Sequence, residues 1–151
     1  MSLDVSLAIG DRGARSFAIA FAITQIVEVP IYIAALGASR GRTMRSPARS
    51  LPARAAIAFG ASAITHPVVW LVMPALSMWV YSALFGRVFE RADPGVVART
   101  LFYGVVAETF AVACEALYLR AFGVRRALLW ATAANAASVI VGAVIVRFVA
   151  P

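Results

Sequence analysis

Apolar residues in this chain gather into long unbroken runs, with the polar residues concentrated in the short stretches between them. Four runs stand out, at 16–37 (SFAIAFAITQIVEVPIYIAALG), 55–76 (AAIAFGASAITHPVVWLVMPAL), 97–119 (VARTLFYGVVAETFAVACEALYL) and 127–149 (ALLWATAANAASVIVGAVIVRFV). A helix needs about 20 mostly apolar residues to cross the hydrocarbon core of a bilayer, so each run predicts one spanning helix. Apolar character continues beyond the second run through SMWVYSALFGRVF, residues 77–89. Trp79, Tyr81, Phe85 and Phe89 there suit an interfacial belt or a short surface helix better than a fifth span. The expected fold is all-α: one integral membrane domain over 1–151, a polytopic four-helix transmembrane bundle.

Polar residues recur at matching places in the two halves. VEVPIYIAALG at 27–37 resembles CEALYLRAFG at 114–123, each with a glutamate, a tyrosine about one turn later and a helix end. ARAAIAFGASAIT at 53–65 resembles RRALLWATAANAAS at 125–138, which pairs Ser62 with Asn135 and Thr65 with Ser138. Each unit would be a helical hairpin. Two spans per unit keep both copies in one orientation, so a parallel repeat about an axis along the membrane normal is expected.

Composition strengthens the membrane reading. The chain is 62% hydrophobic and 14% charged, against about a quarter charged in soluble domains. Its mean hydropathy is +0.86. The net charge of +7 comes from fourteen arginines with no lysine; Arg-only, Ala-rich usage suits a high-GC bacterial genome. Such a basic balance could suggest nucleic acid, but the arginines lie in loops flanking apolar runs, where membrane topology accounts for them. Arg40, Arg42, Arg45, Arg49 and Arg54 occupy the first connection without an acid, and Arg120, Arg125 and Arg126 the third. The middle connection mixes Arg87, Arg91 and Arg99 with Glu90 and Asp93. The positive-inside rule then makes the basic connections cytoplasmic and both termini outward, in a bacterial inner membrane. Asp4 and Asp11 precede the first run, which has full spanning length, so no cleavable signal peptide is expected. One cysteine, Cys114, excludes an internal disulfide and a cysteine-based zinc site.

Chemistry enters with the few polar groups inside the runs. Glu28, Glu108 and Glu115 fall in predicted spans, together with the only histidine, His66, and with Asn135. A charged group at the bilayer centre costs about 2.5–3.5 kcal/mol even on insertion scales, so it calls for a partner or a role. Counted from the predicted ends, Glu28, His66 and Glu108 lie 11 or 12 residues deep, near the midplane. Glu115 lies two turns nearer the cytoplasm, with Asn135 entering to a similar level. Gln25, Glu28 and Tyr32 form one helix stripe, and Ser62 and His66 another with Thr65 beside them. Tyr118 and Ser138 complete the supporting polar set. These positions predict that His66 faces the interior within hydrogen-bonding reach of Glu28 or Glu108, forming a proton, cation or solute site. Pro30, Pro67 and Pro74 would free backbone carbonyls nearby. The stripe of Ala131, Asn135, Ser138 and Gly142 reads as a close-packing face.

Enzyme readings find less support. The paired Glu-x-x-His spacing of di-iron bundles is absent, haem would depend on a single histidine, and no catalytic or metal-ligating set is assigned; the cofactor stays undetermined. E-V-P in the first span, T-H-P-V-V-W in the second, E-A-L-Y in the third and N-A-A-S in the fourth resemble small bacterial four-span membrane proteins. That resemblance implies a fold and no activity. From the residues, the expected function is proton- or cation-linked binding or transport of a small solute. The alternative is a non-catalytic membrane subunit or assembly factor whose buried polar groups specify packing. Four short helices enclose little volume, so transport implies a homodimer or a membrane-protein partner, with the lipid bilayer as surroundings and no nucleic acid.

Overall fold

The computed structural model describes residues 3–39, 50–89 and 95–149, which form five helices and no strand. The helices are α1 (Leu3–Ala38), α2 (Leu51–Leu71), α3 (Met73–Phe89), α4 (Gly95–Ala121) and α5 (Ala127–Val149). Arg40, Arg42, Arg45 and Arg49 of the first basic connection, and Glu90, Arg91 and Asp93 of the middle one, lie outside the described residues.

Local chemistry sets the helix ends. Ser50 caps α2 by accepting the Ala53 amide at 3.3 Å, and Pro52 sits in the first turn, where its missing N–H leaves no bond unmade. The helix therefore starts before the apolar run at 55. At the other end of the chain, α4 closes in a Schellman turn. Gly123, at φ 78°, donates to Arg120 O at 2.9 Å, and Val124 donates to Leu119 O at 3.0 Å. Both Val124 and Leu119 are buried, the apolar contact that usually accompanies this turn. Arg126 takes φ 56° as the chain turns into α5.

The second apolar run does not continue straight. It breaks at Val72, and α3 leaves α2 at 55°. Pro74 has no N–H to give the Trp70 carbonyl and disfavours helical geometry at Met73. Tyr103 Oη on α4 donates to Val69 O at 3.1 Å beside the break. The segment expected as a belt or short surface helix is thus a 17-residue helix continuing from the bend, packed on α4. Its ring Tyr81 meets Phe102 at 5.3 Å between centroids.

Packing runs α2 against α1 and α4, and α5 against α1 and α4. Small residues occupy the seams: Ala35, Ala58, Ala61, Ala111, Ala116, Ala131 and Ala134 are all buried. Large apolar side chains point away, with Ile26, Leu71, Leu117 and Phe148 among the most exposed. Small and polar inside with bulky apolar outside is the pattern of helices packed in lipid, where close backbone approach and interhelical bonds hold the assembly. Three helices are long and apolar enough to cross a membrane, or four when α2 and α3 count as one bent span. The protein therefore reads as a membrane protein.

Candidate functional site

Glu28 on α1 is 1% exposed and Glu115 on α4 is 2% exposed, and each carboxylate is held by other helices. Ser62 Oγ on α2 donates to Glu28 Oε2 at 2.5 Å, and Ser138 Oγ on α5 donates to Glu28 Oε1 at 2.9 Å. Thr65 Oγ1 on α2 donates to Glu115 Oε1 at 2.8 Å, and Asn135 Nδ2 on α5 donates to Glu115 Oε2 at 2.6 Å. Tyr32 Oη on α1 donates to Glu115 Oε2 as well. Asn135 Nδ2 also reaches Tyr32 Oη at 3.4 Å and Ala131 O at 3.0 Å. Helical spacing explains the gathering. Glu28 and Tyr32 share a face of α1, Ser62 and Thr65 lie within a turn on α2, and Asn135 and Ser138 do so on α5.

All the donors in this network are hydroxyls or an amide. Among the described residues no arginine or histidine bonds to either glutamate, while the two carboxylates act on one another electrostatically. Hydrogen bonds satisfy their lone pairs without supplying positive charge. Two buried carboxylates in hydrocarbon reach neutrality only with protons or with a cation.

The network borders a cavity of about 240 Å³ lined by Glu28, Glu115, Asn135, His66, Glu108 and Tyr103, among others. All five principal polar residues expected from the sequence therefore meet in one place, with Thr65 and Ser138 on the same wall. Their pairing differs from expectation. Glu115, not Glu108 or His66, is the mate of Glu28. Glu115 meets Asn135, which the sequence places at a similar level. Glu108 is half-buried and accepts no hydrogen bond among the described residues.

His66 is also corrected. It is 9% exposed and faces the interior as expected, but it makes no bond to Glu28 or Glu108, and its Nε2 is buried without a partner. Aromatic rings enclose it instead: Phe21 at 5.2 Å, Phe17 at 5.3 Å and Trp70 at 6.2 Å between centroids. Phe17 and Phe21 are one turn apart on α1, as His66 and Trp70 are on α2, so the four interleave along the α1–α2 seam. The i, i+4 spacing of Phe17 and Phe21 and of His66 and Trp70 is the signal of that ladder in the sequence.

Two supporting residues stand apart from the network. Tyr118 packs against Phe122 at 4.9 Å and over Gly60 of α2, away from both glutamates. Gln25 keeps both side-chain polar atoms buried without a partner. No family model, curated protein or solved structure matches the chain. Among the described residues, no group of three or more His, Cys, Asp or Glu is placed to hold a metal ion. Any functional reading stands on the geometry alone.

Proposed function

We propose that this chain is a small inner-membrane protein that binds or transports a small solute, with proton or cation exchange at Glu28 and Glu115. The observation that carries the reading is the carboxylate pair itself: two glutamates from different helices, each about 98% buried or more, Glu28 hydrogen-bonded from two other helices and Glu115 from three, and both bordering a cavity. Ionisable groups at membrane depth mark ion and substrate pathways by default, because their cost has to be offset by a use or a partner. Here the partners are neutral, so charge compensation falls to a proton or a bound cation.

The hydrogen-bond pattern supports a parallel repeat. Glu28 bonds Ser62 of its own hairpin and Ser138 of the other; Glu115 bonds Asn135 of its own and Thr65 of the other. Pairing Glu28 with Glu115, Ser62 with Asn135 and Thr65 with Ser138 carries one set of bonds onto the other. A pseudo-two-fold axis between the glutamates follows, the arrangement in which transporters place binding groups at the repeat interface. In this reading α1, α2, α4 and α5 span the bilayer as a four-helix bundle. The arginine-bearing connections are cytoplasmic, both termini are outside, and α3 leaves the outer end of α2 at its bend.

The second reading, a non-catalytic subunit or assembly factor, draws on the same network: every oxygen of the pair already accepts a bond from protein, so it needs no ligand to be complete. Glu28→Gln and Glu115→Gln separate the two. Each keeps side-chain size and hydrogen bonding while removing the charge. Ion currents across supported proteoliposomes, driven by H⁺, Na⁺, K⁺ or ammonium gradients, should appear for the wild type and vanish in both variants, with all three eluting as folded protein. Wild-type currents no larger than those of protein-free liposomes, with stable Gln variants, would assign the scaffold role.

A further inference from the structure

We infer that the cavity beside the glutamate pair is a binding site for a small protonated organic amine. The inference rests on the proposed role of Glu28 and Glu115 in charge exchange and names the class of ligand that the site takes. At about 240 Å³ the chamber falls just below the range of about 300–1,000 Å³ usual for drug-sized ligands, which suits a compact molecule. Its wall carries three carboxylates, Glu28, Glu108 and Glu115, and no arginine among the described residues. An anion would be repelled there. A neutral guest would leave a proton as the compensation for Glu108, whose carboxylate accepts no hydrogen bond among the described residues.

A transition-metal ion is a poor fit as well, because no three His, Cys, Asp or Glu side chains converge on one point among the described residues. A charged molecule, by contrast, reaches groups spread around the wall. Aromatic faces supply the rest of the recognition. Trp70 and Tyr103 both line the chamber. Tyr103 Oη donates to Val69 O, which leaves the tyrosine its accepting oxygen and its ring to offer a cation. An ammonium group within about 6 Å of such rings is attracted by their negative faces.

His66 adds a directional element. It lines the same chamber, is 91% buried by its 9% exposure, and holds Nε2 without a partner. A neutral imidazole presents one donor and one acceptor nitrogen, and an acceptor nitrogen pairs with an ammonium N–H. One protonated amine thus answers the open needs of the site: counter-charge for Glu108, a donor for His66, and a cation over the Trp70 and Tyr103 rings.

The test uses the purified full chain in lipid nanodiscs and three probes of matched shape: benzylamine, benzyl alcohol and benzoate. Calorimetry should show saturable binding of benzylamine at pH 7, at least tenfold tighter than benzyl alcohol, with benzoate not bound. Glu108→Gln should weaken benzylamine at least tenfold while leaving benzyl alcohol unchanged. His66→Phe keeps the aromatic surface, removes the acceptor, and should also weaken the amine. The wild-type comparison of the three probes stands even if a variant fails to fold. Equal affinity for the amine and the alcohol, or no saturable amine binding, overturns the inference. If amine binding fails while the Gln variants at 28 and 115 still abolish ion currents, the ligand class falls and the charge-exchange reading survives. If the amine binds and those variants are silent in currents, the amine site stands and the transport reading falls.

Discussion

Ser138 has one hydroxyl proton and two acceptors within reach, Glu28 Oε1 at 2.9 Å and Asn135 O at 3.0 Å. Thr65 is in a similar position, with Glu115 Oε1 at 2.8 Å, Ser62 O at 3.2 Å and Ala61 O at 3.4 Å within reach. When either hydroxyl turns to its backbone carbonyl, the facing carboxyl can hold a proton and donate in its place. The network therefore accommodates the glutamates with or without protons, as a proton-exchanging centre requires. Tyr32 is different, since its hydroxyl is fully buried and joins α1 to both Glu115 and Asn135. Tyr32→Phe should destabilise the protein by about 0.6–1.7 kcal/mol, the range for interhelical hydrogen bonds in membranes. Thermal unfolding in detergent checks this. No loss of stability would mean that Asn135 and Thr65 satisfy Glu115 without it.

At the scale of elements, the close approach of α2 and α4 depends on one glycine. A Cβ built on Gly60 would lie 2.6 Å from Tyr118 Oη, closer than real contacts allow. The phenol end must move if that carbon is added, and overpacking of this kind costs about 1–3 kcal/mol. Tyr118 is partly buried beside Phe122, so the lower end of the range applies. Alanine in a helix interior gains about 0.5–1 kcal/mol over glycine, so Gly60→Ala should leave the unfolding temperature little changed, and adding Tyr118→Phe, which deletes the atom in conflict, should raise it. A double mutant no better than Gly60→Ala would place the conflict in the backbones. The tyrosine paired with Glu115 by sequence thus serves helix packing. Tyr32, from the other hairpin, serves the glutamate. The bend at Val72 has comparable consequence, because it brings α3 across α4 and Tyr103 under the Val69 carbonyl, forming part of the chamber wall.

The whole molecule turns its bulky apolar residues outward and its polar residues inward, which commits it to lipid. The proposed orientation rests on the arginine-bearing connections, and periplasmic thiol labelling checks it. With Cys114 replaced by alanine, a cysteine at position 4 should react with a membrane-impermeant maleimide in intact cells. One at position 45 should react only after permeabilisation. The reverse pattern would invert the topology. Labelling at both positions in intact cells would require an even number of spans between them.

Span existence was legible from the sequence because crossing a bilayer demands length and apolarity, and both are written in order along the chain. The α5 bounds of 127–149 coincide with the apolar run for that reason. The identities of the buried polar groups were legible too, since any Glu, His or Asn inside such a run is costly enough to stand out. Which of them pair was not. Pairing depends on the rotation and axial stagger of one helix against another. Those are settled by where small residues such as Gly60 and Ala131 let backbones close in, and by where Pro74 bends the chain. A shift of one turn between helices is about 5.4 Å. That is ample to give Glu28 the hydroxyls of Ser62 and Ser138, to deliver Glu115 to Tyr32, Thr65 and Asn135, and to leave His66 among aromatic rings.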